Sequence, residues 1–366
     1  MIVLGISPLD KDSTVSLVKD GVVLFAAGEE RFSRKKQQDG FPKAALEEAL
    51  RYTGIALEDI DKVAYPFLDA GQEIEIFSKN LENEKNFINE FEEPDLDAMI
   101  KEAKAKVPHR EGAIHGLKNP NEKMDKSLLH KTFYNVSGKT KMFSKKAAID
   151  GSEKWAELAA EGHKQWQQEL EAGLKEFGLD DKLVRIDHHL SHAANAYFAS
   201  GYDQALCITL DGYGTGLAGS VSIAEGGKIK RLHGIEYPNS LGTMYEHVTS
   251  SLGFKPSRHE GKIVGLASYG DPDLLTPILL SRITEKDGDF KIYQSNNIFL
   301  SRLLASEFPK IDVAAAYQKA LEVVAANFVK YWIEKTGIDT VVLSGGVTAN
   351  VKLNQRIFEI DGVNQI

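Results

Sequence analysis

The chain has 366 residues, 42% of them apolar and 27% charged, with a formal net charge of −9. That is enough chain for two core-forming units. The acidic balance argues against nucleic-acid binding, which needs a basic face to neutralise phosphates.

Cys207 is the one cysteine and lies in the apolar run ALCITL, where it reads as a small buried hydrophobe. A single thiol forms no internal disulfide, so a reducing compartment fits. The opening MIVLGISP lacks the basic region and apolar length of a signal peptide, and no apolar run approaches the ~20 residues of a membrane span. The expectation is a cytoplasmic protein without membrane contact.

In chain order, IVLGIS, TVSLVKDG and VVLFAAGEE read as strands, with Asp20-Gly21 as a hairpin turn between the second and third. PKAALEEALRYTG reads as a helix with Pro42 at its start, Ala45, Leu46, Ala49 and Leu50 on its apolar face, and Gly54 as its cap. KVAYPF is a fourth strand. From about 70 to 182 the chain turns rich in Lys, Glu and Asn and reads as a largely helical insertion, with Trp166, Leu170, Leu174 and Phe177 in helical register. LVRIDHH resumes the sheet pattern, and LSHAANAYFAS is a helix.

The second half repeats the plan of the first. ALCITLDG, GSVSIAEGG and KIKRLHGIEY are three strands, with Gly226-Gly227 as a hairpin turn. A long helix is expected from Asp312 to Thr336, with Asp312 as N-cap, Gly337 at its end, and Val313, Tyr317, Leu321, Val324, Phe328 and Trp332 as its buried stripe. TVVLSGG is a buried-type strand and VKLNQRIFEI a helix. Two such halves facing each other would form a cleft with an acidic turn on either side.

Four pieces carry chemistry. His188 and His192 are four apart in DHHLSHAANAYF, which on a helix stacks two imidazoles on one face at the spacing one metal ion bridges; a third ligand is then needed. The turns Asp10-Lys11-Asp12-Ser13 and Asp211-Gly212-Tyr213-Gly214-Thr215 are either plain hairpin turns or a pair of phosphate loops with magnesium-orienting carboxylates. LSGGVTANVKLNQR runs from a strand through Gly345-Gly346 into a helix, either a simple connection or a place where a ligand lies against backbone. RHEGKIVGLASYG offers Arg258, His259, Glu260 and Lys262, or is a solvated loop. In the insertion, Lys139, Lys141, Lys145 and Lys146 form either a solvated loop or a contact for an anionic ligand.

Five stretches occur together and in order: VLGISPLDKDSTVSLVKDG; GEERFSRKK with GFP; DHHLSHAANAYF with TLDGYGTG; YPNSLGTMYEHVTSSLGF with EGKIVGLASYG; and LSGGVTANVKLNQRI. On these, the chain resembles the carbamoyltransferase family, enzymes that install O-carbamoyl groups on antibiotics and nodulation factors. The resemblance covers nearly everything but the insertion. It implies an α/β, actin-like ATPase (ribonuclease H-like) fold, akin to the enzyme that places threonylcarbamoyl on tRNA adenosine. Two related subdomains, 1–202 including the insertion at 70–182 and 203–366, would flank a nucleotide cleft.

The resemblance also implies a reaction. A C-terminal domain makes carbamoyl-adenylate from carbamoyl phosphate and ATP, and the actin-like part passes the carbamoyl group to a hydroxyl of a small-molecule acceptor. His188 and His192 match the metal pair, for iron, zinc or manganese, with magnesium accompanying ATP. Ser13, Asp211, Gly212, Gly214, Thr215, Gly345, Gly346 and Asn350 match the stretches that meet phosphate and adenosine. Glu30, Arg31, Glu260 and Lys262 fall on the cleft wall, and Lys11 and Asp12 at the place of acceptor activation. The resemblance leaves room for a homodimer.

Two departures bear on this. Family members carry a histidine where this chain has Lys11, and a lysine acts as base near neutrality only with a strongly depressed pKa. The family's third metal ligand, an aspartate, and the adenylate-forming domain are expected beyond Ile366. On that reading the chain is a truncated or split piece that binds metal weakly and makes no carbamoyl-adenylate alone. The alternatives are a phosphotransferase on the same fold, which would not need His188 and His192, and a non-catalytic nucleotide-binding module, which Lys11 favours.

Overall fold

The computed structural model describes residues 1–112 and 119–366. Strands β1 (Ile2–Ile6), β2 (Thr14–Lys19) and β3 (Val22–Gly28) form an antiparallel meander. The Asp20-Gly21 turn carries φ of 49° and 83°, the left-handed pair that a two-residue hairpin requires. Helices α1 (Glu30–Ser33) and α2 (Lys43–Thr53) follow, and β4 (Lys62–Tyr65) runs parallel to β1. Gly54 ends α2 with φ 69°, as expected of a C-terminal glycine.

The insertion is helical: α3 (Ala70–Glu90), α4 (Leu96–Lys106), α5 (Leu128–Lys139) and α6 (Lys141–Glu176) precede β5 (Leu183–Arg185), which pairs parallel with β4. The lysines at 139–146 therefore lie on helices rather than a loop, and Lys139, Lys145 and Lys146 pair with Asp97, Glu93 and Asp150. Helix α7 (His188–Ser200) leads to a second meander, β6 (Gln204–Gly214), β7 (Leu217–Glu225) and β8 (Lys228–Glu236). Then come α8 (Leu241–Ser251), α9 (Glu260–Ala267), α10 (Thr276–Leu280), the hairpin β9 (Ile283–Lys286) with β10 (Asp289–Ile292), α11 (Phe299–Glu307), α12 (Lys310–Thr336), β11 (Val341–Ser344) and α13 (Val351–Phe358).

The chain divides into two compact units, Met1–Lys79 with Lys154–Ser191, and Asn80–Glu153 with His192–Ile366. The first holds a five-stranded sheet of order β3-β2-β1-β4-β5, the second a four-stranded sheet of order β11-β6-β7-β8. Each is a three-strand meander whose first strand takes a parallel neighbour on its free side. That repeated order is the mixed sheet of the ribonuclease H-like fold, so the α/β, actin-like expectation holds.

Each unit has its own core. In the first, Leu4, Ile6, Val15 and Leu17 meet Ala45, Leu46 and Ala49 of α2, all at most 2% exposed. In the second, α12 is buried along most of its circumference; Val313, Tyr317, Leu321, Val324, Phe328 and Trp332 are all in the core.

Three local readings change. Asp312 is not the N-cap of α12: Pro309 holds that position. The Asp312 carboxylate is fully buried and accepts from Arg110 Nη1 and Nη2 (2.9 and 2.6 Å) and from Asp271 N (2.8 Å). The turn placed at Asp211–Thr215 moves: β6 runs on to Gly214 through a register irregularity after Leu210, and the hairpin turn falls on Thr215 and Gly216, with φ 46° and 74°. The glycine-broken stretch at 260–267 is helical, as α9.

Candidate active site

In the second unit, β6 and β11 are parallel neighbours, with Ser344 level with Thr209. Just past this point β11 ends and β6 loses its register after Leu210. Gly345 turns away with φ 96°, and a Cβ there would lie 2.3 Å from Leu210 O, so only glycine fits. The turn brings Gly346 N to Asp211 Oδ1 (3.1 Å), and Gly212 N donates to the same oxygen (2.8 Å). Ser240, the N-cap of α8, donates its hydroxyl to Asp211 O (2.9 Å). A Cβ on Gly242 would come within 2.8 Å of Gly212 N. Two backbone amides on Oδ1 and the Ser240 hydroxyl on its carbonyl thus fix Asp211, which leaves its other carboxylate oxygen aimed.

Helix α7 supplies what Oδ2 meets. His192 Nε2 lies 3.0 Å from Asp211 Oδ2, and His192 Nδ1 lies 3.1 Å from Ser344 Oγ. His188 lies one helical turn before His192 on the same helix. His188 Nδ1 is 3.2 Å from Pro66 O, and its ring stacks on Phe67 with centroids 4.7 Å apart. Donating Nδ1–H to a carbonyl leaves the lone pair on Nε2, the tautomer a metal ligand needs. One ligand atom each from His188, His192 and Asp211 lie within 4.8 Å of one another.

Two imidazoles and one carboxylate at that spacing fit a divalent first-row transition ion. The resemblance placed the third ligand beyond Ile366; the structure places Asp211, read beforehand as a phosphate-loop residue, with the histidines. The signal that would have found it, an aspartate at the register break of β6 beside a glycine-ended strand, exists only once β6 and β11 are known to be neighbours.

In the first unit, the turn after β1 carries Asp10, Lys11 and Asp12, all exposed, with Asp12 at φ 50°. Asp10 is exposed as a residue, yet protein atoms surround its carboxyl closely enough to desolvate it. Desolvation holds that carboxyl above the ordinary range, against the opposing pull of Lys11 and of His188. Ser13 plays a different part from the rest of the turn. It is fully buried, donates Oγ to Gly40 O (2.7 Å), and takes its N–H to Gln38 O (2.9 Å). In the EERF stretch, Glu30 accepts from Gln37 N (3.0 Å) and Arg31 is exposed. The neighbour that sequence reasoning passed over, Glu29, is 9% exposed and accepts from Ala44 N and Ala45 N (3.1 and 2.7 Å), holding the start of α2.

The remaining predicted residues of the second unit fall in two groups. Gly214 pairs with Leu217 across the hairpin and Thr215 is buried at its turn. Asn350 caps α13 and shares an amide pair with Gln318, itself bound to Tyr245 Oη (2.6 Å) and Glu322 (2.8 Å). Glu260 accepts from Ser257 N (2.6 Å), and Lys262 Nζ lies 5.4 Å from the Phe254 ring centre, on α9. Cys207 is fully buried, and its thiol is pushed up to about 12 by burial, so it offers no nucleophile.

The doubled meander is that of an actin-like ATPase fold, and it carries a two-histidine, one-aspartate cluster. Residues 2–365 match the family described as carbamoyltransferase N-terminus, and the chain belongs to it. An uncharacterised Synechocystis protein, sll1178, is 27% identical over 97% of this chain and 52% of its own length. Nodulation protein NolNO of Sinorhizobium fredii is 26% identical over 94% of this chain and 42% of its own. A tRNA N6-adenosine threonylcarbamoyltransferase of Gloeobacter violaceus is 28% identical over 48% of this chain and 51% of its own. The chain thus spans about half the length of the curated relatives it matches along its whole length. Among solved structures, component A of (R)-2-hydroxyglutaryl-CoA dehydratase from Acidaminococcus fermentans superposes with TM-score 0.41 at 14% identity, over 100% of this chain and 90% of that one. Among the described residues no helix is long and apolar enough to cross a membrane.

Proposed function

We propose that this chain binds carbamoyl-adenylate and transfers its carbamoyl group to the hydroxyl of a small-molecule acceptor. The observation that carries the reading is the 3.0 Å approach of His192 Nε2 to Asp211 Oδ2, one helical turn from His188, in a chain that belongs to a carbamoyltransferase family.

Carbamoyl-adenylate is a mixed anhydride. The acceptor oxygen bonds to the carbamoyl carbon, the bond from that carbon to the phosphate oxygen breaks, AMP leaves with the electron pair, and the hydroxyl proton passes to a base. A divalent ion on His188, His192 and Asp211 would supply Lewis-acid stabilisation of charge on the phosphate. The chain's own residues position that site. Ser344 orients His192, the Pro66 carbonyl orients His188, and the Gly212 and Gly346 amides orient Asp211. Asn350 stands at the place the resemblance gives to the adenosine, with its amide already held by Gln318 and by Leu353 N, so backbone of the Gly345-Gly346 stretch is the better candidate for meeting the nucleoside. The Asp10–Asp12 turn is the candidate for receiving the acceptor proton, and Asp10 suits it better than Lys11, because its carboxyl is already held above the ordinary range. ATP and carbamoyl phosphate enter through the adenylate-forming step, in the family's remaining part.

Lys11 favours a second reading, a nucleotide-binding module without transfer activity. Calorimetry with a stable carbamoyl-adenylate analogue, with and without added metal, tests the first step. Metal-dependent binding that His192→Ala abolishes is expected. Equal binding by the variant, or none by the wild type, overturns the proposal.

A further inference from the structure

A partly open pocket with about 40 Å³ of internal space lies within the second unit, walled by α8, α10, α11, α12 and the segment from Arg282 to Asn297. Its lining is largely apolar, with Met244, Leu279 and Leu300 all under 9% exposed. Into this wall the chain sets one permanent cation. Arg282 is 5% exposed. Both of its hydrogen bonds use Nη2, to Tyr293 O and Gln294 Oε1, each 3.0 Å. Its Nε–H and the two Nη1–H donors make none within the described residues, although a guanidinium carries five donors in all.

No aspartate or glutamate lines the pocket. The carboxylate that Arg282 senses, Glu93, is already engaged by Tyr293 Oη at 2.6 Å and by Lys145 at 3.7 Å. The Tyr293 ring, 5.2 Å from the guanidinium carbon, supplies a partial counter-field. His247, also on the wall, is held neutral near and above physiological pH by burial. A buried guanidinium with unused donors and no carboxylate beside it is costly, because desolvation of the charge is not repaid.

We propose that this pocket holds a small inorganic monoanion of halide size, such as chloride, against Arg282. Water satisfies donors but neutralises no charge. The space is enough for a few water-sized particles, and so for one small anion with water beside it. The occupant would tie β9 and the Tyr293–Asn297 segment to α12 through Arg282 and Tyr317, making the ion structural. The inference is independent of the carbamoyl-transfer reading.

Thermal unfolding at constant ionic strength tests it. Sodium gluconate would be exchanged stepwise for sodium chloride or bromide. The expected result is a saturable rise in Tm with both halides, through linkage to the folded state, and its loss in Arg282→Met. Identical Tm values in gluconate and chloride overturn the proposal. Should Arg282→Met fail to fold, crystals of the unaltered chain grown in bromide decide. A bromide anomalous peak within hydrogen-bonding reach of Arg282 Nη1, together with the Tm rise, supports the site. Ordered water alone overturns it, as does an adventitious ion only, meaning a peak without any Tm response.

Discussion

Ser344, the last residue of β11, holds His192 of α7 by a 3.1 Å contact between Oγ and Nδ1, across 152 residues of sequence. The imidazole cannot rotate without breaking that bond, so its other nitrogen stays aimed at Asp211. Outer contacts of this kind typically alter metal affinity 10–100-fold. Ser344→Ala should therefore lower metal affinity by roughly one to two orders of magnitude while leaving the melting transition nearly in place. Titration with zinc or manganese, followed by calorimetry, checks it; unchanged affinity would mean that the hydroxyl has no part in orienting His192.

Gly345 joins the same strand to the site. Its φ of 96° is strained for any other residue, and a side chain there would put its Cβ only 2.3 Å from Leu210 O, which leaves no room. Gly345→Ala should cost about 2 kcal/mol or more, combining backbone strain with displacement of the strand end. It should also release Asp211, since Gly346 N follows directly. Denaturant unfolding of the purified variant measures the first effect, and loss of metal affinity beyond that of Ser344→Ala the second.

Arg110 and Asp312 form a bidentate pair 202 residues apart, with the carboxylate fully buried. Removing one member leaves the other charged and unpaired, which typically costs 3–5 kcal/mol. Arg110→Met should fall in that range, and the double variant with Asp312→Leu should recover part of the loss. Urea midpoints for the three proteins decide; an Arg110→Met protein as stable as wild type contradicts the pairing.

Much of the fold was legible because local chemistry determined it. Alternating apolar residues with Asp20-Gly21 and Gly226-Gly227 mark the two meanders, and the glycines after α2 and α12 stop those helices where expected. The histidine pair was legible as one face of a helix. What escaped reading was set by distant partners. Asp312 looks like an N-cap until Arg110 claims it. Asp211 looks like a turn residue until β11 lies beside β6 and α7 places His192 against it. Glu29, rather than Glu30, is the buried carboxylate of EERF because the amides it satisfies are fifteen and sixteen residues on.

Glu84 of α3 gives a pH signature. It is 7% exposed, its Oε1 has no hydrogen-bond partner, and burial raises its carboxyl from 4.5 to about 7 despite a bond from Ser152. The folded state therefore keeps a proton that the unfolded chain releases near pH 4.5. Stability from this group is intact below that pH, falls as pH rises to 7, and stays low above it. His247 acts oppositely: held down to about 4 from 6.5 by burial, it stabilises the fold increasingly from pH 4 to 6.5. Glu84→Gln should thus leave the histidine slope and gain up to about 3 kcal/mol over wild type at pH 7 and above, with no gain below pH 4.5. Chemical denaturation at pH 4.5, 6 and 8 provides the comparison; a constant difference across the three would rule out Glu84 as the source.

The proposed transfer chemistry needs one metal held jointly by His188, His192 and Asp211 next to a bound nucleotide. The most direct measurement is anomalous diffraction from crystals of this chain grown with manganese or zinc and an ATP analogue. The predicted result is a single strong peak within bonding distance of both imidazole Nε2 atoms and Asp211 Oδ2, beside ordered phosphate density. A clearly bound nucleotide with no peak at those three atoms, or with the metal held elsewhere, would contradict it.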